Sequence, residues 1–179
     1  MLAVTCTGSN FGFDLSTTLK TSDPDPLVSN ICDNTDHPPL CLATIRPFLA
    51  SAAASSSLDV ESILRFAVEA GGDYAKEALS VATNLVSKSD DITLDLRSTL
   101  KDCRESYDVA VENFQKTLDA FATKDVGTMR SVLSAVITFV GDCEDEFAEM
   151  QAPSPLSGYA EKLTDMTSNC LAIVSQMMN

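Results

Sequence analysis

The chain has 179 residues, of which 45% are hydrophobic, a length and composition typical of one compact domain with its own core. It carries 26 acidic and 12 basic residues, for a net charge of -14. That charge repels phosphate backbones and anionic lipids, so we expect neither nucleic acid nor a membrane as a partner. In addition, no apolar run approaches the roughly 18 residues that a membrane-spanning helix needs.

The start of the chain lacks a sustained hydrophobic period. Residues 1–22 are polar and rich in Ser, Thr and Gly, and we expect a flexible N-terminal arm there. Residues 23–179 are expected to form the folded domain. Within it we place a short helical hairpin over residues 23–54 and a helical bundle over residues 55–179.

Prolines punctuate the hairpin region. Pro38, Pro39 and Pro47 are expected to divide it into short helical pieces. Between the pieces lies the polar loop "CDNTDHPPLC", from Cys32 to Cys41, which contains the only histidine of the chain.

Four longer segments then carry apolar residues at every third or fourth position, the spacing of an amphipathic helix. Gly71 and Gly72 lie in the middle of the first segment and are expected to loosen or kink it. Four such helices joined by short polar turns predict an all-α fold, an antiparallel up-down-up-down four-helix bundle after the N-terminal hairpin. The segments run from about 58 to 87, 96 to 121, 126 to 150 and 156 to 177.

The cysteine spacing tests this bundle independently. In a hairpin of the second and third helices, residues equidistant from the turn lie side by side, and the midpoint of 103 and 143 falls inside the turn "ATKDVG". Both cysteines also occupy the apolar stripe of their helix. We therefore predict a disulfide between Cys103 and Cys143, which the loop-entropy argument values at about 4 kcal/mol.

The other cysteines give weaker information. Cys32 and Cys41 are the second local pair, Cys170 lies on the core side of the fourth helix as a buried thiol, and the partner of Cys6 stays open. Six cysteines without zinc-site spacing in a small acidic chain indicate an oxidising compartment. We therefore expect a secreted, extracellular protein from which a signal peptide has been removed.

Catalytic and metal-binding patterns are scarce. His37 is the only histidine and two prolines follow it, so a histidine-dependent triad is not expected. The acidic runs lack the alternating ligands and glycine of a calcium loop. We predict no metal, no cofactor and no enzymatic activity.

What remains is an acidic surface. On the second helix Glu105, Asp108, Glu112 and Asp119 are spaced to lie along one stripe away from the core. Such a charge run is either an ordinary solvated face or a docking surface for a protein partner. The third helix adds acidic residues around its cysteine, namely Asp142, Glu144, Asp145, Glu146 and Glu149.

Several stretches together resemble a known family. They are "ICDNTDHPPLC", "LKDCRESYDVAVENF", "LSAVITFVGDCEDEF" and "KLTDMTSNCLAI", and they cover about residues 27–178. In their order and cysteine spacing they resemble the plant invertase inhibitor and pectin methylesterase inhibitor family. The resemblance implies an extracellular four-helix bundle after a helical hairpin, with disulfides 32–41 and 103–143.

The resemblance also implies a function. Members of this family block plant cell-wall enzymes in one-to-one complexes, and the pectin methylesterase inhibitors lay the middle helices of the bundle across the pectin cleft of the enzyme. By position, the implied contact residues are Glu105, Glu112 and Asp145. With the acidic neighbours Asp108 and Asp142, these residues make up the predicted partner-binding face of a protein that is monomeric when free.

Two positions depart from the family pattern. Val109 stands where such an inhibitor can carry aspartate, and Asp142 stands where threonine is common. A carboxylate only accepts hydrogen bonds, whereas a threonine hydroxyl also donates them, so the detailed contact must differ.

Other functions stay open. Invertase inhibitors of this family use a Pro-Lys-Phe motif after the second helix, and residues 124–129 read "KDVGTM" instead, which argues against invertase as the target. The same domain occurs as the pro-region of pectin methylesterases, and the absence of a catalytic domain before Asn179 favours a free inhibitor. A secreted helical signalling protein is the alternative from a different class.

Overall fold

The computed structural model describes residues 25–52, 58–88 and 93–178. This part of the chain contains six α-helices and no β-strand. A short 3-10 helix, Phe121–Thr123, follows the fourth of them. The α-helices are α1 (Pro26–Asp33), α2 (Pro38–Ala52), α3 (Val60–Ser87), α4 (Leu94–Ala120), α5 (Val126–Glu149) and α6 (Ser157–Gln176).

The four long helices form the predicted bundle. Each of α3, α4, α5 and α6 packs against the next, and α6 closes the ring by packing against α3. Helices α1 and α2 pack against each other and lie on the α3 and α6 side. The predicted fold, an antiparallel four-helix bundle with an N-terminal helical hairpin, is therefore confirmed.

Four of the helices begin with a side-chain cap. The carboxylates of Asp25, Asp59 and Asp125 accept hydrogen bonds from backbone amides at the starts of α1, α3 and α5, and the Thr93 hydroxyl does so for α4. These bonds satisfy amide groups that have no partner inside the helix. Short polar side chains just before an apolar stripe thus set where these four helices begin.

Both predicted local cysteine pairs are bonded. Cys103 and Cys143 join α4 to α5 with their Cα atoms 4.8 Å apart, and Cys32 and Cys41 join α1 to α2 at 5.5 Å. Cys170 is a fully buried free thiol, and burial raises the pKa of that thiol to about 12. Cys6 and the predicted arm lie outside the described residues.

The polar loop between α1 and α2 is fastened to α6. The His37 backbone amide donates to Asn169 Oδ1 at 2.9 Å, and Asn169 Nδ2 donates back to the His37 carbonyl at 3.0 Å. His37 Nε2 lies 3.3 Å from a carboxylate oxygen of Asp165, and Ser168 donates to Asp36. The single histidine therefore has a structural environment, holding the hairpin against the bundle.

The expected break at Pro38 and Pro39 occurs, since α1 ends at Asp33 and α2 begins at Pro38, whereas the expected break at Pro47 does not. Pro38 and Pro39 open α2, where a missing amide hydrogen costs nothing, and α2 continues through Pro47. Helix α3 is unbroken across Gly71 and Gly72. The two glycines serve a close approach between helices.

The approach is made by Phe114 of α4. A Cβ atom added at Gly71 would lie 2.5 Å from Cε1 of the Phe114 ring, and one added at Gly72 would lie 3.3 Å from Phe114 Cβ. Real Cβ atoms do not come as close as 2.5 Å. The glycines therefore let the buried ring pack directly on the α3 backbone.

Helix α5 departs from expectation in its hydropathy. By length and composition alone it is apolar enough to cross a membrane, as the sequence reading had not anticipated. Its inner face packs in the bundle through Met129, Leu133, Val136 and Val140. Its Cys143 is bonded to α4, so in this structure the helix is a bundle element.

Gly71→Ala should lower the free energy of unfolding by about 1–3 kcal/mol, because the added methyl group meets the Phe114 ring. The matched control is Gly141→Ala in α5, where an added Cβ meets nothing within 4 Å. That control should stabilise the protein by about 0.5–1 kcal/mol. Urea unfolding under oxidising conditions measures both, and equal effects would contradict the packing role of Gly71.

Candidate functional site

The acidic stripe of α4 is exposed along its length. Glu105, Asp108, Glu112 and Asp119 all lie on the solvent side of the helix. Two of them have neighbouring cations. Arg104 Nη2 lies 3.3 Å from Glu105 Oε1, and Lys116 Nζ lies 3.3 Å from Glu112 Oε2. Exposed pairs of this kind contribute little to stability, so a partner's cations can replace them at small cost.

The disulfide brings two exposed α5 carboxylates close to the level of this stripe along the bundle. Asp142 and Asp145 are exposed and flank Cys143, which is bonded to Cys103 of α4. Because the two helices are antiparallel, Asp145 and Glu112 lie on opposite sides of the disulfide along the bundle axis. At about 1.5 Å per residue the five predicted contact residues span roughly 16 Å of that axis.

Not every acidic residue near Cys143 belongs to this face. The Glu144 carboxylate accepts a hydrogen bond from Ser154 Oγ at 2.7 Å. It also lines a cavity of about 410 Å³ between α5 and α6. Glu144 therefore lies on the α6 side of α5, and the five-residue acidic run divides between two surfaces.

Glu146 lies on the α4 side of α5, near Asp102 and Thr99. These two α4 residues were not identified from the sequence as part of the site. The pKa of Glu146 is raised, first because the carboxyl is partly buried and then because Asp102 of α4 is close, with smaller effects of Glu149 and Asp142. A hydrogen bond with Thr99 acts in the opposite direction. The disulfide-linked ends of α4 and α5 thus hold carboxylates close enough to repel one another.

Asp102 was missed because it lies outside the stripe spacing. A signal was available, since Asp102 precedes Cys103 just as Asp142 precedes Cys143. In an antiparallel helix pair the residues next to a cross-link differ in level by only about 3 Å, so acidic residues next to both cysteines predict a cluster across the helices.

The described residues show no arrangement for metal binding. Among them no group of three or more His, Cys, Asp or Glu side chains could hold an ion. The single imidazole, that of His37 in the hairpin loop, contacts Asp165 of α6. The binding role of the acidic face and the absence of a cofactor both stay predictions.

Most of the chain matches one known protein family. The family described as "Plant invertase/pectin methylesterase inhibitor" matches residues 26–173. The chain belongs to this family. It is an inhibitor family, and some of its relatives are fused to pectinesterases.

Three relatives of this family member have plant sources. The chain is 26% identical over 148 residues to a "Pectinesterase inhibitor" of Actinidia deliciosa, covering 82% of this chain and 77% of that protein. It is 24% and 28% identical to pectinesterase/pectinesterase inhibitors 26 and 24 of Arabidopsis thaliana, covering 87% and 83% of this chain. The chain spans only 17% and 26% of the length of those two proteins.

Two solved structures share the fold of the family member. A mutant form A of a pectin methylesterase inhibitor from Arabidopsis superposes with a TM-score of 0.67 at 16% identity, covering 83% of this chain and 95% of that one. A second pectin methylesterase inhibitor from Arabidopsis thaliana gives 0.60 at 17% identity, covering 83% and 93%. These similarities support the helical-bundle architecture.

Glu146→Gln should raise the melting temperature at pH 7. The folded-state pKa of Glu146 lies above its unfolded value, so the folded protein binds this proton more readily and its stability falls as pH rises through that pKa. Glutamine removes the charge, so the gain over wild type should vanish below about pH 4, where both side chains are neutral. Thermal unfolding of both proteins from pH 3 to 8 measures this difference in melting temperature.

The control is Glu105→Gln, which removes an exposed carboxylate from the same helix pair. It should shift the melting temperature little at any pH, because a surface ion pair is worth about 0–1 kcal/mol. A lower melting temperature for Glu146→Gln than for wild type at pH 7 would show that this carboxylate stabilises the fold.

Proposed function

We propose that this chain inhibits a plant pectin methylesterase, binding it one-to-one and covering its pectin-binding cleft. The observation that carries the proposal is membership of the inhibitor family, with a match that extends over most of the Actinidia pectinesterase inhibitor. The exposed carboxylates across α4 and α5 supply a surface on which such a contact could be built. In this proposal the protein acts outside the cell and catalyses no reaction itself.

The contact residues of the proposal are Glu105, Asp108 and Glu112 on α4, with Asp142 and Asp145 on α5. All five are exposed, so their charges are available to a partner before contact. Exposed charges mainly accelerate association and select the orientation of docking, and both effects weaken as salt screens them. The enzyme would therefore present cations around its cleft.

Blocking the enzyme's cleft requires a rigid binding surface. The α4 and α5 faces are joined by a disulfide and packed against a common core, so little conformational freedom remains to be lost on docking. A preorganised binding surface avoids part of the entropic cost of association. In this mechanism the chain blocks access of the polymer and contributes no chemical group to the reaction.

The direct test is a paired assay. The purified oxidised protein is added to a plant pectin methylesterase and, separately, to a cell-wall invertase, and initial rates are measured at several inhibitor concentrations. Inhibition of the esterase alone, saturating at one equivalent, is the expected result. Inhibition of neither enzyme would overturn the proposal, and pectin hydrolysis by the protein alone would overturn its non-enzymatic part.

Charge reversal tests the contact residues. The double variant Glu105→Lys/Glu112→Lys should weaken inhibition by about tenfold or more, because attraction to cations becomes repulsion. Its melting temperature should stay close to that of wild type, since both side chains are exposed. The inhibition constant at low ionic strength is the measurement.

A matched control reverses the same number of charges elsewhere. Glu77 of α3 and Glu161 of α6 are exposed and lie on helices other than α4 and α5. Glu77→Lys/Glu161→Lys should inhibit as wild type does. Equal losses in the two double variants would mean that net charge, and not the α4 and α5 face, governs association.

A second candidate is a domain of a larger pectin methylesterase precursor. It is favoured by the two Arabidopsis relatives, of whose length this chain matches only 17% and 26%. In that case the target would be the esterase domain of the same polypeptide. Adding the protein to an esterase domain encoded with it, and comparing inhibition with that of unrelated esterases, separates the two candidates.

A further inference from the structure

Apolar side chains run along the surface between α4 and α5. Val109 of α4 and Val132 and Ala135 of α5 are half-buried, and the ring of Phe139 is 37% exposed. Among the described residues these four side chains do not belong to the core cluster or to the apolar residues packed on it. We call Val109, Val132, Ala135 and Phe139 the apolar strip.

Helix geometry places the strip on one side of each helix. Val132, Ala135 and Phe139 are spaced three and four residues apart, and Phe139 precedes Glu146 by two turns. Glu146 faces α4, where it interacts with Asp102 and Thr99. By the same spacing Val109 lies two turns after Asp102, so both halves of the strip border the same groove.

The disulfide sets the level of the strip. Phe139 lies four residues before Cys143, level with the residue four after Cys103 in the antiparallel partner. Val109 is two residues further along α4, between the levels of Ala135 and Phe139. The four side chains therefore form one elongated patch, which extends from about one to about three turns from the cross-link.

Carboxylates border this patch along α4 and on the side of the cross-link. Glu105 and Glu112 lie one turn before and one turn after Val109 on α4, and Asp142 lies one turn after Phe139 on α5. Helix α5 itself has no charged residue between Arg130 and Asp142. Only 28% of its most apolar stretch is buried in the structure. An apolar centre with a charged margin is the usual anatomy of a protein interface.

We propose that the apolar strip is the centre of the contact with the inhibited enzyme, and that its occupant is an apolar patch of the enzyme ringed by cationic side chains. This inference rests on the proposed function. The carboxylates act as the rim and steer the encounter, whereas Phe139 and Val109 supply the contact that excludes water. Aromatic residues at the centre of an interface commonly carry most of the binding energy.

Charge selects this occupant over a second copy of the chain. Each copy carries a net charge of -14, and the strip is bordered by carboxylates, so two copies meet with repulsion. The same margin opposes an anionic lipid surface. A protein surface with an apolar centre and a cationic rim would bind favourably to both the apolar strip and the carboxylates beside it.

The test uses Phe139→Ser and Val109→Ser in the esterase inhibition assay at low and high salt. Each should raise the inhibition constant about tenfold, by the same factor at both salt concentrations, because apolar contact is not screened. The loss caused by Glu105→Lys/Glu112→Lys should shrink as salt increases. The control is Met178→Ser, which replaces another exposed apolar side chain, 54% exposed, beside Arg130.

The outcomes separate this inference from the proposed function. If wild type inhibits and both strip variants inhibit equally well, the strip is not the contact centre and the proposed function stands. If wild type inhibits no esterase, both the proposed function and this inference are overturned. Sedimentation equilibrium adds a third outcome: self-association that Phe139→Ser abolishes, with inhibition unchanged, would assign the strip to a second copy. Circular dichroism and melting temperature verify that each variant is folded.

Discussion

The disulfide between Cys103 and Cys143 is the constraint on which the candidate site depends. It holds α4 and α5 at one register, and with them the acidic residues that precede each cysteine. Glu146 lies near both of them, and its pKa is raised first by partial burial and then by repulsion from Asp102, with smaller contributions from Glu149 and Asp142. A covalent bond that does not weaken with pH or salt keeps the two charged helix ends together against this repulsion.

The acidic and apolar parts of the face follow from the same geometry. Helices packed at a fixed register expose a shallow groove, and each side chain's position on its helix decides whether it borders that groove. Glu105 and Val109 are one turn apart and share it, whereas Glu144 points to the other side of α5 and bonds to Ser154. Negative charge near the end of α5 also opposes the helix dipole, a local cost that is understandable if the charge serves binding.

Much of the architecture was predictable because helical periodicity is a local property. The apolar stripes gave the four long helices to within a few residues, and the stripe positions of two cysteines gave their pairing. The features that could not be predicted depend on contacts with a distant neighbour. Gly71 and Gly72 let the Phe114 ring of α4 pack directly on the α3 backbone. His37 offered no sign that Asn169 would bind its backbone.

The helix pattern, the negative charge and the cysteine register could be inferred from the amino-acid sequence, since each depends on residue identity and spacing along one element. Tertiary structure decided which acidic residues share a surface, which carboxylate is partly buried, and which apolar residues of α5 stay outside the core. The physical reason is that a helix has a full circumference of side chains. Only the packing of α4 and α6 against α5 determines which part of that circumference is covered and which part is left to bind.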